Sequence, residues 1–464
     1  MRAIAHALLG GLASLVLAPD ASAQARRPEI DRLYAQWDRA DSPGCSIGVV
    51  QDGKFVYQRG YGSANLDYAI PNSPDMQYYV GSDSKQFTAA SIALLSLSGR
   101  ISLDDDIRKY FPEMPNYGRT LTVRHLVHHT GGVRDIYVLM SLAGKRLEDV
   151  FTDAEAVALI TRQKELNFLP GDDYLYSNSG YFLLAQLIKR VTGQSLRVFA
   201  DSAIFKPLGM TRTHFHDDPG HVMPKRAMAY ESDGKGGVRV SYIQNFDKIG
   251  AGGLYTTLDD LRKWDQNYYT KQVGGEALQK LIHTRGVLTK GDTLTYAFGN
   301  NVDTYRGLRT TSHSGALMGY RADVIRFPDQ HFSVLSACNQ GDIDPSSMAL
   351  KIAELYLGSK MGPAPKPRTP APTASRAQGT AATDPSLAGR YHSEEVDATW
   401  TLRVAGGKLL VDRPPVRTDT LTADGSGAYR TPGAVLTFQR DASGAVKSFT
   451  VEAGRVRNIR FDRR

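Results

Sequence analysis

Strand-forming runs lie at both ends of residues 45–338, with helical patterns between them. Residues 45–50, Cys45-Ser46-Ile47-Gly48-Val49-Val50, lead into the hairpin turn Asp52-Gly53 and a returning strand at 54–59. From Thr304 the pattern becomes strand-like again, at 309–313, 320–327 and 332–337, with Pro328-Asp329-Gln330 as a turn and a closing helix at 346–356. A helix at 29–39 precedes the first strand, and residues 103–208 read as helical, broken by loops such as His128-His129-Thr130-Gly131-Gly132. Strands split in this way are satisfied by one sheet assembled from both ends of the segment. The expected fold class is α/β (α+β): an antiparallel sheet flanked by helices, an all-helical subdomain, and a separate β unit further on.

That further unit follows a change of composition. Residues 359–386 are rich in Pro, Ala and Thr and read as an extended linker. Residues 387–464 hold short alternating runs at 399–404, 409–412, 435–440, 446–451 and 457–461, separated by glycine turns, the pattern of a small antiparallel β-barrel. Residues 1–23 read as a secretory signal, with Arg2, an apolar centre at 7–18 and the small-residue site Ala21-Ser22-Ala23. The expected domains are thus the signal at 1–23, a main domain at 24–358, the linker and the barrel, in a periplasmic or secreted protein without a stable membrane anchor. Export makes a disulfide permissible. Cys45 and Cys338, each inside an apolar strand run, are nevertheless expected as two buried single thiols. A net charge of +8 spread over 464 residues, without basic runs, argues against a nucleic-acid partner.

Chemistry concentrates at Ser82, followed three residues later by Lys85. A helix predicted over 84–97, with Phe87, Ala90, Leu94 and Leu97 on one face and Gly99 as its stop, puts hydroxyl and amine side by side in the first turn. There the helix dipole favours developing negative charge and disfavours an ammonium. A lysine with an ordinary pKa near ~10.4 needs burial or nearby positive charge to serve as a base. A second Ser-x-x-Lys, Ser232-Asp233-Gly234-Lys235, sits in a glycine-rich turn and lacks the helix. Two further motifs supply partners: Tyr176-Ser177-Asn178, where a phenol can carry a proton and an amide can bind a substrate amide, and His313-Ser314-Gly315, whose glycine allows close backbone approach. His125, His128 and His129, and His214, His216 and His221 beside Asp217 and Asp218, have the residue types of metal ligands but are discounted, and no cofactor is expected.

With these three motifs in order, residues 43–357 resemble the serine β-lactamase and penicillin-binding-protein superfamily, in its class C β-lactamase-like branch of D-alanyl-D-alanine peptidases and esterases. Leu126-Val127-His128-His129, Pro207-Leu208-Gly209-Met210, Gly250-Ala251-Gly252-Gly253-Leu254 and Asp259-Asp260-Leu261 with Trp264 extend the resemblance. It implies a β-lactamase/transpeptidase-like fold in which Ser82 is acylated, Lys85 and Tyr176 move its proton, and Asn178 orients the substrate amide. Ser82 and Ala316 would supply the oxyanion-hole N–H groups beside His313 and Gly315. Which of Lys85 and Tyr176 is the principal base stays open. His313 stands where class C β-lactamases usually carry lysine, which weakens efficient β-lactamase activity and leaves peptidase or esterase chemistry. Gly131 replaces a serine common in relatives. The barrel resembles lipocalin-like appendages of some D-aminopeptidases. The function implied is hydrolysis of small peptide, amide, ester or β-lactam substrates; the alternative is a non-catalytic sensor that binds penicillins or cell-wall fragments.

Overall fold

The computed structural model describes residues 21–241, 248–364, 384–425 and 427–464. The signal segment up to residue 20 and most of the predicted linker lie outside them. Helix α1 (Ala21–Tyr34) ends earlier than predicted, in a short 3-10 turn, Ala35–Trp37. The strands β1 (Cys45–Gln51) and β2 (Lys54–Tyr61) follow. Next come α2 (Lys85–Leu97) and a helical insertion that includes α3 (Ile136–Leu142) and α4 (Asn178–Thr192). The chain returns to strands in β3 (Asn301–Tyr305), β4 (Leu308–Leu317), β5 (Tyr320–Phe327) and β6 (Phe332–Cys338), and α5 (Pro345–Leu357) closes the unit.

The six strands form one antiparallel sheet in the order β3-β4-β5-β6-β1-β2. Its early and late segments therefore meet at the β1–β6 pair. Period-two alternation sorts the side chains. Ile47, Val49, Phe332 and Val334 face Ile30 and Tyr34 of α1 and Ile352 and Leu357 of α5. Val50, Leu335, Ala322 and Val324 face the other way, into the core that holds Phe87 of α2 and Trp264.

The β1–β6 register corrects the expectation for the cysteines. Cys45 stands directly opposite Cys338, with Cα atoms 3.9 Å apart, and the two form a disulfide. Directly opposed residues on neighbouring strands share one face of a sheet, so two thiols at this register position meet. Helix α2 also departs from its predicted one-sided face. It is buried nearly all round from Lys85 to Ala93, whereas Leu97 is 45% exposed, because the helix runs through the domain and only its last turn emerges.

Beyond the linker, eight strands close into a barrel: β7 (Gly389–Ser393), β8 (Ala398–Ala405), β9 (Lys408–Arg413), β10 (Arg417–Ala423), β11 (Ala428–Thr431), β12 (Ala434–Arg440), β13 (Val446–Ala453) and β14 (Val456–Arg463). The sequence pattern had supplied five of them; β7, β10 and β11 are short or mostly polar, with little alternation to read. The barrel docks on the helical insertion. Trp400 Nε1 donates to Leu142 O (3.3 Å), and Asn167 bridges the β13–β14 turn, its Nδ2 donating to Arg455 O (3.0 Å) and its Oδ1 accepting from Arg457 N (2.8 Å). At the centre Arg134, with no side-chain exposure, pairs with Glu395 at 2.6 Å and donates to Asn458 O at 3.0 Å. Glu395 Oε1 also accepts from Lys164 N at 2.8 Å. No helix among the described residues is long and apolar enough to cross a membrane.

A buried ion pair deprived of one member leaves an uncompensated charge. Glu395→Ala is expected to lower unfolding free energy by about 3–5 kcal/mol in urea titrations. A loss well under about 1 kcal/mol, the range of exposed pairs, contradicts a central role for this contact.

Candidate active site

Ser82 lies in a 3-10 turn, Gly81–Ser84, that runs directly into α2. Two glycines press this turn against β4. Gly81 has φ +54°, and a Cβ there would come within 2.6 Å of Ala316 N; a Cβ on Gly315 would lie 1.8 Å from Val80 O and 3.0 Å from Ser82 N. The two amide nitrogens expected to form an oxyanion hole, of Ser82 and Ala316, thus meet at one junction of turn and strand. The space at Gly315 is taken by the chain's own Val80–Ser82 backbone rather than left for a substrate. Ser84 fastens the turn, donating to Gly81 O (2.5 Å) and accepting from Leu254 N (3.2 Å).

Lys85 is fully buried, and its Nζ lies 3.0 Å from Ser82 Oγ, 3.0 Å from Asn178 Oδ1 and 2.5 Å from Ala251 O. Burial pushes its pKa well below the ordinary lysine value; Asp135 opposes that shift and Arg455 adds to it. The orientation of the Asn178 amide follows from Asp135, which the sequence reading missed. Asp135 is the N-cap of α3, with Oδ1 accepting from Tyr137 N at 3.1 Å, and is itself fully buried. Its Oδ2 accepts from both Asn178 N and Asn178 Nδ2, each at 2.9 Å. A carboxylate only accepts, so the amide nitrogen must face it and Oδ1 must face Lys85. Its only local signal in the sequence is an Asp directly before a helical run, the pattern of an ordinary cap.

Tyr176 packs beside this pair. Lys85 Nζ is 4.8 Å and Arg455 Cζ 5.3 Å from its ring centroid, and the His129 ring packs against it, tilted by 37° with centroids 4.2 Å apart. Burial raises the phenol's pKa, and the Ser82 hydroxyl and Arg455 pull it down. Its hydroxyl is buried and satisfied by no full hydrogen bond among the described residues. His129, in the left-handed region at φ +59°, accepts from Ser177 N at Nδ1 (3.1 Å) and so anchors the Tyr176-Ser177-Asn178 segment.

His313 completes the cluster from β4. Its Nδ1 lies 2.6 Å from Ser314 O, an acceptor, and must carry the ring proton; Nε2 then accepts from Tyr296 Oη at 3.1 Å. Burial and the nearby Lys85 lower its pKa to about 3, against the backbone bond to Ser314. Both ring nitrogens are engaged within the protein, so the imidazole is a neutral wall group. The structure therefore brings together Ser82, Lys85, Tyr176, Asn178, His313, Gly315 and Ala316, and adds Asp135, His129, Ala251, Tyr296 and Arg455.

The remaining candidates lie elsewhere or do other work. Ser232-Asp233-Gly234-Lys235 is the exposed turn between short strands Tyr230–Ser232 and Val238–Val240, where Asp233 Oδ1 accepts from Lys235 N at 2.7 Å and Gly237 N at 2.9 Å. His125 Nδ1 accepts from Thr122 N at 3.2 Å to cap a short helix, and His128 Nε2 meets Thr284 O at 3.2 Å. His214 and His216 pair with each other at 3.3 Å, and Asp217 is held by Arg197 at 3.0 Å. No group of His, Cys, Asp and Glu among the described residues has the arrangement to hold a metal ion.

Comparison with known proteins agrees with this geometry. A family described as beta-lactamase matches residues 30–357. The D-aminopeptidase of Brucella anthropi is 31% identical over 322 residues, 68% of this chain and 59% of the relative; that of Gluconobacter oxydans is 30% identical over 304 residues, 65% and 56%. The chain thus aligns with little more than half the length of these relatives. An octameric penicillin-binding protein homologue from Pyrococcus abyssi shares the fold, with a TM-score of 0.64 at 23% identity over 95% of this chain and 98% of that one. The chain, with its Ser82–Lys85 pair at the head of a buried helix and its sheet closed by both ends of the domain, belongs to the beta-lactamase family.

Proposed function

We propose that this protein is an exported serine hydrolase that forms an acyl-enzyme on Ser82 and cleaves amide bonds in small peptide or peptide-like substrates, D-alanyl peptides and β-lactams included, with simple esters as alternative acyl donors. Its likeness to D-aminopeptidases supports the amide class. The Cys45–Cys338 disulfide supports an oxidising compartment.

One observation carries the reading, the surroundings of Lys85 Nζ. A neutral amine has two N–H bonds and one lone pair. Asn178 Oδ1 and Ala251 O accept only and take the two protons, which leaves the lone pair for the Ser82 hydroxyl 3.0 Å away. Lys85 accordingly removes the Ser82 proton as Oγ bonds to the substrate carbonyl carbon. The oxyanion forms against the N–H groups of Ser82 and Ala316. Lys85, now an ammonium, returns a proton through the Tyr176 hydroxyl to the leaving nitrogen as the C–N bond breaks. Water, activated by the same pair in reverse, then adds to the ester and releases the acid. Burial assists both groups: it favours the neutral amine and keeps the phenol protonated until it gives its proton up.

Three outcomes test this account. Intact mass after exposure to a fluorophosphonate should show a single adduct on the native chain and none on Ser82→Ala; equal labelling of both sinks the reading, and turnover of a p-nitrophenyl ester separates an enzyme from a pure binder. Asp135→Asn keeps the shape of the cap but frees the Asn178 amide to turn, so kcat/KM for that ester should fall about 100-fold or more, within the usual span of a lost general base; a change below about threefold argues that Lys85 is oriented without it. His313 has a folded pKa of about 3 against an ordinary 6.5, so between those values the unfolded chain binds the extra proton. Stability then falls as pH drops through that window, and His313→Gln should make the dependence of urea unfolding on pH shallower; an unchanged slope contradicts the neutral assignment.

A further inference from the structure

The β13–β14 turn of the barrel carries Arg455 into the catalytic cluster, and nothing in the Ser82 chemistry requires it there. The turn is clamped from both sides: Asn167 holds Arg455 O and Arg457 N, and buried Arg134 holds Asn458 O. Its backbone is therefore fixed while the Arg455 side chain stays 39% exposed. The guanidinium rests on Tyr176, 5.3 Å from the ring centroid, with Nε 3.6 Å from Asp135 Oδ2. That last distance is too long for a hydrogen bond, and no other donor contact of this guanidinium is seen among the described residues. Arginine offers five N–H donors in a planar fork that matches a carboxylate, so several remain available to a ligand.

The charge balance of the site points the same way. His313, on the strand beside the oxyanion junction, is neutral and has both ring nitrogens occupied. Lys85 is buried and directed at Ser82, Asn178 and Ala251. A permanent cation at the rim comes from the barrel. Its position on Tyr176 also fixes which part of a substrate it meets, because Tyr176 is the group that delivers a proton to the leaving nitrogen in the mechanism above.

We propose that Arg455 is a specificity-determining residue that binds a carboxylate on the leaving-group side of the scissile bond, so that the preferred substrates are peptides ending in a free carboxylate next to the bond that is cut. This rests on acylation of Ser82 and adds a substrate class to it. The bidentate pair forms on the exposed side of the fork, while Asp135 remains behind it as the counter-charge that keeps the arginine from turning away. The barrel is then a structural part of the substrate site.

Activated thioesters test this without knowledge of the natural peptide. Benzoylglycyl-thioglycolate carries its carboxylate on the leaving group, and its methyl ester lacks the charge. The full-length native chain should prefer the carboxylate in kcat/KM, and Arg455→Gln should reduce that carboxylate-to-ester preference on the order of tenfold, mainly through KM, as expected for loss of a charge-assisted hydrogen bond. Arg455→Lys, a point charge without the fork, should restore part of it. A preference that is unchanged in Arg455→Gln, whether both rates fall together or neither does, overturns the assignment and leaves Arg455 a structural or purely electrostatic residue. Turnover that is the same in Ser82→Ala removes the underlying reading instead, so the two failures are distinguishable.

Discussion

A lysine amine held out of water between two carbonyl acceptors and one hydroxyl is the contact on which the rest of this molecule converges. Lys85 Nζ meets Ser82 Oγ, Asn178 Oδ1 and Ala251 O, and these come from α2 with its leading turn, from α4, and from the glycine loop that leads toward Leu254. Desolvating an amine is costly unless it is neutral and hydrogen-bonded, and this arrangement meets both conditions at once. It also explains why the helix that carries the pair is buried almost all round. A helix at the surface would let water reach Nζ and restore the ordinary lysine pKa.

The sheet serves the same contact from the other side. β4 delivers Gly315 and Ala316 to the Ser82 turn, and it does so only because both Gly81 and Gly315 lack a side chain at the point of approach. β4 in turn is placed by β5 and β6, and β6 by its register with β1, where Cys45 and Cys338 are joined. The disulfide thus ties the first strand of the domain to the last, across the seam where a sheet assembled from distant segments is held by strand pairing alone. In the loop-closure account, a link across so long a segment acts largely by restricting the unfolded chain.

What could be read from the sequence and what could not divide along the range of the interactions. Strand and helix positions set by local alternation and turns were legible: β5 falls at 320–327 as its pattern predicts, and β1, β6 and α5 fall within a residue of theirs. The motif residues Ser82, Lys85, Tyr176, Asn178 and His313 were legible as chemistry because each sits in a short recurring context, and the fold brings them to one place. Cys45–Cys338 was not, since it depends on which strands neighbour one another and in what register, and apolar runs by themselves also describe buried single thiols. Asp135 was hidden by its ordinary role as a helix cap. Arg455 had no signal at all: it is one arginine in a polar hairpin, and its meaning comes from a docking contact between segments nearly three hundred residues apart, between Asn167 and the β13–β14 turn.

That docking contact bears on why the barrel is joined through a buried ion pair. Replacing a buried pair by apolar side chains is often neutral or stabilising, so stability by itself does not account for Arg134 and Glu395. Direction does. Arg134 donates to Glu395 and to Asn458 O, and Glu395 accepts from Arg134 and Lys164 N, a set of contacts that an apolar patch sliding over the helical insertion cannot reproduce. Arg134 of this pair reaches Asn458 O on β14, three residues from Arg455, and is next to Asp135 along the chain. A rotation of the barrel that broke it would also withdraw the guanidinium from Tyr176, so the buried charges set the position of the exposed one. In this molecule the contact that specifies how the two units sit is the contact that decides whether a cation stands at the mouth of the site.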